Sequence, residues 1–103
     1  MLACNLNAIT EAERPTYNSL CARLREATTE RRELPDGYAF RVNGDLVPLL
    51  DAARWVSLER LCCPFLTFRL DITGSDRAYW LTLEGSPDSK AIVRDALGSD
   101  PNK

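Results

Sequence analysis

The residues of this chain best suited to chemistry lie close together, at Glu59, Cys62 and Cys63. Residues three and four positions apart share one face of an α-helix, so this spacing brings a carboxylate and two thiols together. Pro64 disfavours helical geometry at Cys63, and we therefore expect the helix to end at about Cys62. Two thiolates and a carboxylate at a helix end form a reasonable partial site for a soft or borderline metal ion.

This donor set lacks at least one ligand, and the chain has no histidine to supply it. Cys4 is the better candidate of the two remaining cysteines, because Cys21 lies in the apolar stripe of a predicted helix. Thiols without imidazole suit a thiophilic ion such as Zn(II), Cu(I), Hg(II) or trivalent arsenic. The sequence therefore predicts a soft metal or metalloid site with these donors: Cys62, Cys63, Cys4 and Glu59.

The alternative interpretation is that the cysteines are packing residues. Free cysteine is among the most buried residue types and behaves as a small hydrophobic side chain. Glu59 would then need a cation, and Arg54, Arg60 or Arg69 could provide one. The protein would in that case be a non-catalytic interaction or dimerisation domain that docks a partner through the half-polar face of its sheet, which carries Trp80.

The position of Cys62 in the predicted helix disfavours a catalytic role for its thiol. Reactive thiols usually have a pKa lowered by a helix N-terminus, a cation or a histidine. Cys62 instead lies at a predicted helix C-terminus beside Glu59, and both features raise a thiol pKa. We therefore expect no catalytic residues, and a thiophilic metal ion is the cofactor that the sequence suggests.

Composition indicates an ordinary globular protein. The chain has 103 residues, of which 45% are hydrophobic, and a net charge of −2 without a basic stripe. We therefore expect neither nucleic acid nor a membrane as partner, and a homodimer or protein partner stays open. The N-terminus lacks the features of a secretory signal, which predicts a cytoplasmic protein with free or metal-bound thiols.

Apolar periodicity predicts the order helix, two strands, helix, two strands, helix. The expected fold class is α+β, with a four-stranded antiparallel sheet of two hairpins and about three helices packed mainly on one face. Residues 1–98 should form a single domain, and 99–103 a flexible tail. Thr10 and Asp45 are the expected caps of the first two helices.

The second helix should be the most buried. Its predicted core stripe comprises Leu49, Ala52, Ala53 and Val56 and continues to Arg60 or Cys63, with Trp55 and Leu58 widening it.

The segment 59–68, ERLCCPFLTF, resembles the E-R-x-C-C-P-F-x-x-F core of a family of short bacterial proteins of unassigned function. The resemblance extends through 34–40 and 83–85, and the family pattern has an N-terminal cysteine that Cys4 matches. The chain departs from that pattern at 85–88. This departure changes the cap of the last predicted helix and leaves the cysteines of the pattern unchanged. The resemblance implies the fold boundaries and a bacterial cytoplasmic protein, and it implies no activity.

Overall fold

The computed structural model describes residues 5–96, which form three α-helices and four β-strands. A 3-10 turn (Leu6–Ala8) precedes α1 (Arg14–Ala27), β1 (Thr28–Leu34), β2 (Gly37–Val42), α2 (Leu49–Cys62), β3 (Thr67–Ile72), β4 (Tyr79–Glu84) and α3 (Pro87–Ala96). This order confirms the predicted α+β class. The predicted tail, 99–103, lies outside the described residues. No helix in the described part of the chain combines the length and apolar character needed to cross a membrane.

The four strands form one antiparallel sheet in the order β1-β2-β4-β3. Each predicted hairpin is present, and the two hairpins are joined by antiparallel pairing of β2 with β4. In the register, Leu81 of β4 lies opposite Phe40 of β2 on one side and Leu70 of β3 on the other. The two central strands are largely buried, and the two outer strands are largely exposed.

The helices pack on one face of this sheet and enclose the core with it. Alternate residues of the central strands point to that face because side chains alternate along a strand. The buried members on β2 and β4 are Tyr38, Phe40, Val42, Tyr79, Leu81 and Leu83. Trp55 of α2 is fully buried against them, and its ring meets that of Phe68 edge to face, with centroids 6.2 Å apart.

Neither helix cap predicted from the sequence is present. The Thr10 hydroxyl donates to the Glu13 carboxylate (2.8 Å) rather than accepting from backbone, and α1 begins at Arg14 with Pro15 in its first turn. Asp45 lies in a turn closed by Asn43, so α2 begins four residues after it. In both places local side-chain pairing competes with the helix for the same polar groups.

The predicted core stripe of α2 is partly wrong. The buried residues of this helix are Ala52, Trp55, Leu58, Glu59 and Cys62, whereas Ala53 and Val56 are only half-buried. Burial of a large side chain stabilises more than burial of a small one, so Trp55 and Leu58 determine which face turns inward. Because Trp55 and Leu58 face inward, Glu59 on the same side of the helix lies in the interior as well.

Candidate metal-binding site

Glu59, Cys62 and Cys63 lie together at the carboxyl end of α2, as their spacing in the sequence predicts. The helix ends at Cys62, as expected. The backbone of Cys63 is not helical (φ −127°, ψ 65°), although its N–H still donates a hydrogen bond to the Glu59 carbonyl oxygen at 2.8 Å. Pro64 explains this ending because it disfavours helical geometry in the preceding residue. Cys62 and Cys63 are 0% exposed and Glu59 is 1% exposed. The cluster is therefore an interior one.

The donor atoms of this cluster have spacings close to those of a metal coordination shell. Cys62 Sγ lies 3.7 Å from Cys63 Sγ and 3.3 Å from Glu59 Oε1, and the three donor atoms all lie within 4.8 Å of one another. A tetrahedral zinc ion with Zn–S of about 2.3 Å holds two sulfurs about 3.8 Å apart and a sulfur and an oxygen about 3.5 Å apart. Two of the three separations thus match a tetrahedral edge within a few tenths of an ångström.

Glu59 is held by a tyrosine rather than by an arginine. The Tyr17 hydroxyl of α1 donates to Glu59 Oε1 at 2.5 Å, and the Cys62 thiol lies beside the same oxygen. Of the three arginines that the packing interpretation offered to Glu59, Arg69 pairs with Glu84, and Arg54 and Arg60 are exposed. Tyr17 takes the place that this interpretation gave to an arginine.

Tyr17 lies on the buried, apolar face of α1. Periodicity identifies the face of a helix but not which residue of the facing helix it meets. A buried tyrosine usually finds a hydrogen-bond partner, and that rule is the signal that could have pointed to Tyr17 as part of the site.

Cys21 is placed outside the donor cluster, one helical turn beyond Tyr17 on α1. Its Sγ accepts a hydrogen bond from Trp55 Nε1 at 3.2 Å, and the side chain is half-buried. The converging donor atoms belong to Glu59, Cys62 and Cys63 alone among the residues that the structure describes. The assignment of Cys21 to the helix stripe rather than to the site agrees with this position.

Burial favours the protonated forms of the acidic groups of the site. It raises the pKa of the Glu59 carboxyl, against the opposing effect of the hydrogen bonds from Tyr17 and Cys62. It also raises the pKa of the Cys62 thiol to about 12, with the nearby Glu59 charge adding to the effect. The pKa values of Cys21 and Tyr17 are raised by burial as well. At neutral pH Cys62 is therefore a poor nucleophile, whereas a bound cation would stabilise its thiolate.

Cys63 is disulfide-bonded, whereas Cys21 and Cys62 are free thiols. The expectation that every thiol is free or metal-bound is therefore wrong for Cys63. The adjacent Cys62 is not its partner, because 3.7 Å is far longer than an S–S bond of about 2.05 Å. Adjacent cysteines would close a strained ring, which is the physical reason for this separation.

Cys4, the third expected thiol ligand, lies outside the described residues. The next residue, Asn5, is described, and its N–H donates to the Cys62 carbonyl oxygen at 2.9 Å. The chain at residue 5 is therefore hydrogen-bonded to the same helix end that carries the two vicinal cysteines.

No protein-family model, curated protein or solved structure shows a significant match to this chain. The resemblance carried by residues 59–68 stays a prediction, and the chemistry of the site is argued from its geometry.

Proposed function

We propose that this protein, with Cys63 reduced to its thiol, binds a thiophilic metal or metalloid ion, such as Zn(II), Cu(I), Hg(II) or trivalent arsenic, through Cys62 and Cys63. Glu59 is the third donor, and Cys4 completes the set. The observation that carries this proposal is a carboxyl group 1% exposed to solvent that meets two sulfur atoms in the interior.

The chemistry of the donor set supports this assignment. An isolated buried carboxylate is costly, and proteins normally compensate it with a cation or with hydrogen bonds. Glu59 has the Tyr17 hydroxyl and the Cys62 thiol as partners, both of which are neutral at ordinary pH. A cation bound between the carboxylate and the thiolates would supply the missing positive charge. Sulfur donors favour soft and borderline ions over Mg(II) or Ca(II).

A second candidate function, an interaction or dimerisation domain, is favoured by a different part of the surface. Among the residues that the structure describes, four large apolar side chains are exposed. The most exposed are Leu50 (81%), in the first turn of α2, and Leu46 (58%), just before that helix. The sheet face first expected to dock a partner is less suitable, because Arg32 covers the half-buried Trp80 ring at 4.3 Å. In this second proposal a protein partner docks at the start of α2.

Native mass spectrometry of reduced protein, titrated separately with Zn(II), Hg(II) and arsenite, tests the metal proposal. We expect one ion per chain in the wild type and none in the variant Cys62→Ser-Cys63→Ser. Cys21→Ser is the matched control, because it removes a thiol outside the donor cluster and should leave the stoichiometry unchanged. A wild-type protein that ignores all three ions would refute the metal proposal, and a concentration-dependent mass would then favour the second candidate.

A further inference from the structure

Cys63 takes part in two arrangements that exclude each other. Its sulfur is one of three donor atoms that converge in the buried cluster, and the same sulfur is half of a disulfide. A cysteine binds a metal as its thiolate, and a sulfur in a disulfide is no longer a thiolate. One sulfur atom therefore cannot serve both arrangements at the same time.

We propose that the oxidation state of Cys63 gates the metal site. The ion binds when Cys63 is a thiol and is excluded when Cys63 is in the disulfide. This inference rests on the proposed function and adds a regulation to it.

Formation of the disulfide at Cys63 is a two-electron oxidation. Cys63 and a second cysteine of the chain each give up one proton and one electron as their sulfur atoms bond. A low-molecular-weight disulfide accepts both electrons and both protons and is cleaved to two thiols. A dithiol reductant reverses the step, restores both cysteine thiols and itself becomes a disulfide.

The oxidised site keeps too few donors to hold an ion. Cys62 is still a free thiol and Glu59 still faces it at 3.3 Å, so two protein donors remain in the described cluster. Zinc sites use four protein ligands when structural and three when catalytic. Water is a poor replacement here, because all three side chains are at most 1% exposed.

Wild-type protein in two redox states tests the gate without any substitution. One sample is reduced with a dithiol and desalted anaerobically, and the other is oxidised with glutathione disulfide. Non-reducing peptide mapping identifies the second cysteine and checks that Cys21 and Cys62 stay free. Zn(II) affinity is then measured for both samples by competition with a chromophoric chelator.

We expect the oxidised sample to bind Zn(II) more than about 100-fold more weakly, since even the loss of a group supporting a ligand weakens metal sites 10–100-fold. Re-reduction should restore binding, and bound Zn(II) should slow disulfide formation at Cys63. Cys21→Ser should behave as the wild type in both states. Equal binding by both samples would overturn the gate and leave the metal proposal standing. No binding by the reduced sample would instead overturn the metal proposal itself, and the gate with it.

Discussion

The Tyr17 hydroxyl donates a 2.5 Å hydrogen bond to Glu59 Oε1 and so joins α1 to α2 at a buried carboxyl group. The two residues are 42 positions apart in the chain. Groups that hydrogen-bond a metal ligand orient it, and their loss commonly weakens affinity. Tyr17 is therefore a positioning residue for the proposed site, and the contact is open to a direct test.

Tyr17→Phe removes the hydroxyl and keeps the ring. We expect about 10–100-fold weaker Zn(II) binding to the reduced protein, together with a loss of about 1–3 kcal/mol in unfolding free energy from the lost hydrogen bond to the buried carboxyl group. Chelator competition and urea denaturation measure the two effects. Tyr79→Phe is the matched control, because Tyr79 is also buried and its hydroxyl donates to the Val47 carbonyl oxygen at 2.9 Å, in the core. Equal losses of Zn(II) affinity in both variants would make the role of Tyr17 merely structural.

The raised pKa of Glu59 predicts how stability changes with pH. Because burial raises this pKa above its ordinary value of 4.5, the folded state favours the protonated carboxyl. That stabilisation is complete below pH 4.5 and is lost as the pH rises through the raised pKa. Of the acidic side chains that contact Glu59, Tyr17 and Cys62 both stay neutral over this range because their own pKa values are raised.

Glu59→Gln should therefore remove this loss of stability in the metal-free protein. Urea denaturation between pH 3 and pH 8 measures the difference from the wild type. Glu33→Gln is the control of opposite sign, because the hydrogen bond from Lys90 lowers the pKa of Glu33 and its contribution disappears as the pH falls. If the difference between Glu59→Gln and the wild type does not change with pH, Glu59 is not protonated by burial.

The helix end could be predicted from the sequence because its cause is local. Pro64 and the i, i+3, i+4 spacing define where α2 stops and which side chains share a face, and both features are present. The strand pairs were predictable for the same reason, since period-two alternation and the turn residues Asp36 and Gly37 between the first two strands are short-range signals.

Long-range partners were not predictable in this way. The contact of Glu59 with Tyr17 depends on the register of α1 against α2, which no local pattern encodes, and charge alone favoured an arginine. The order of the strands has the same limit, because the pairing of β2 with β4 joins residues more than 30 positions apart. The sequence analysis did not predict the disulfide at Cys63, because the expected cytoplasmic compartment favours reduced thiols and the cysteine count does not show which thiols meet.

The Cys62 thiol should react slowly in the folded protein. With a pKa raised to about 12 by burial, only about one molecule in 10,000 carries the thiolate at pH 8. We expect iodoacetamide to leave Cys62 unmodified in the reduced native protein and to alkylate it in urea, as followed by peptide mass mapping. Rapid native alkylation of Cys62 would instead identify a reactive thiol and favour redox chemistry.

Ion binding should also stabilise the fold, because the donor atoms of Glu59, Cys62 and Cys63 are held together in the folded interior, so the ion favours the folded state over the unfolded one. A ligand that binds only the folded state at 100 times its Kd adds about 2.7 kcal/mol, which corresponds to a rise in Tm of roughly 10 °C or more for a domain of this size. Any affinity of unfolded cysteines for the ion reduces that figure. Thermal unfolding of the reduced protein with and without Zn(II) measures the shift, which should vanish in Cys62→Ser-Cys63→Ser and persist in Cys21→Ser. A similar shift in the double variant would place the ion elsewhere on the protein.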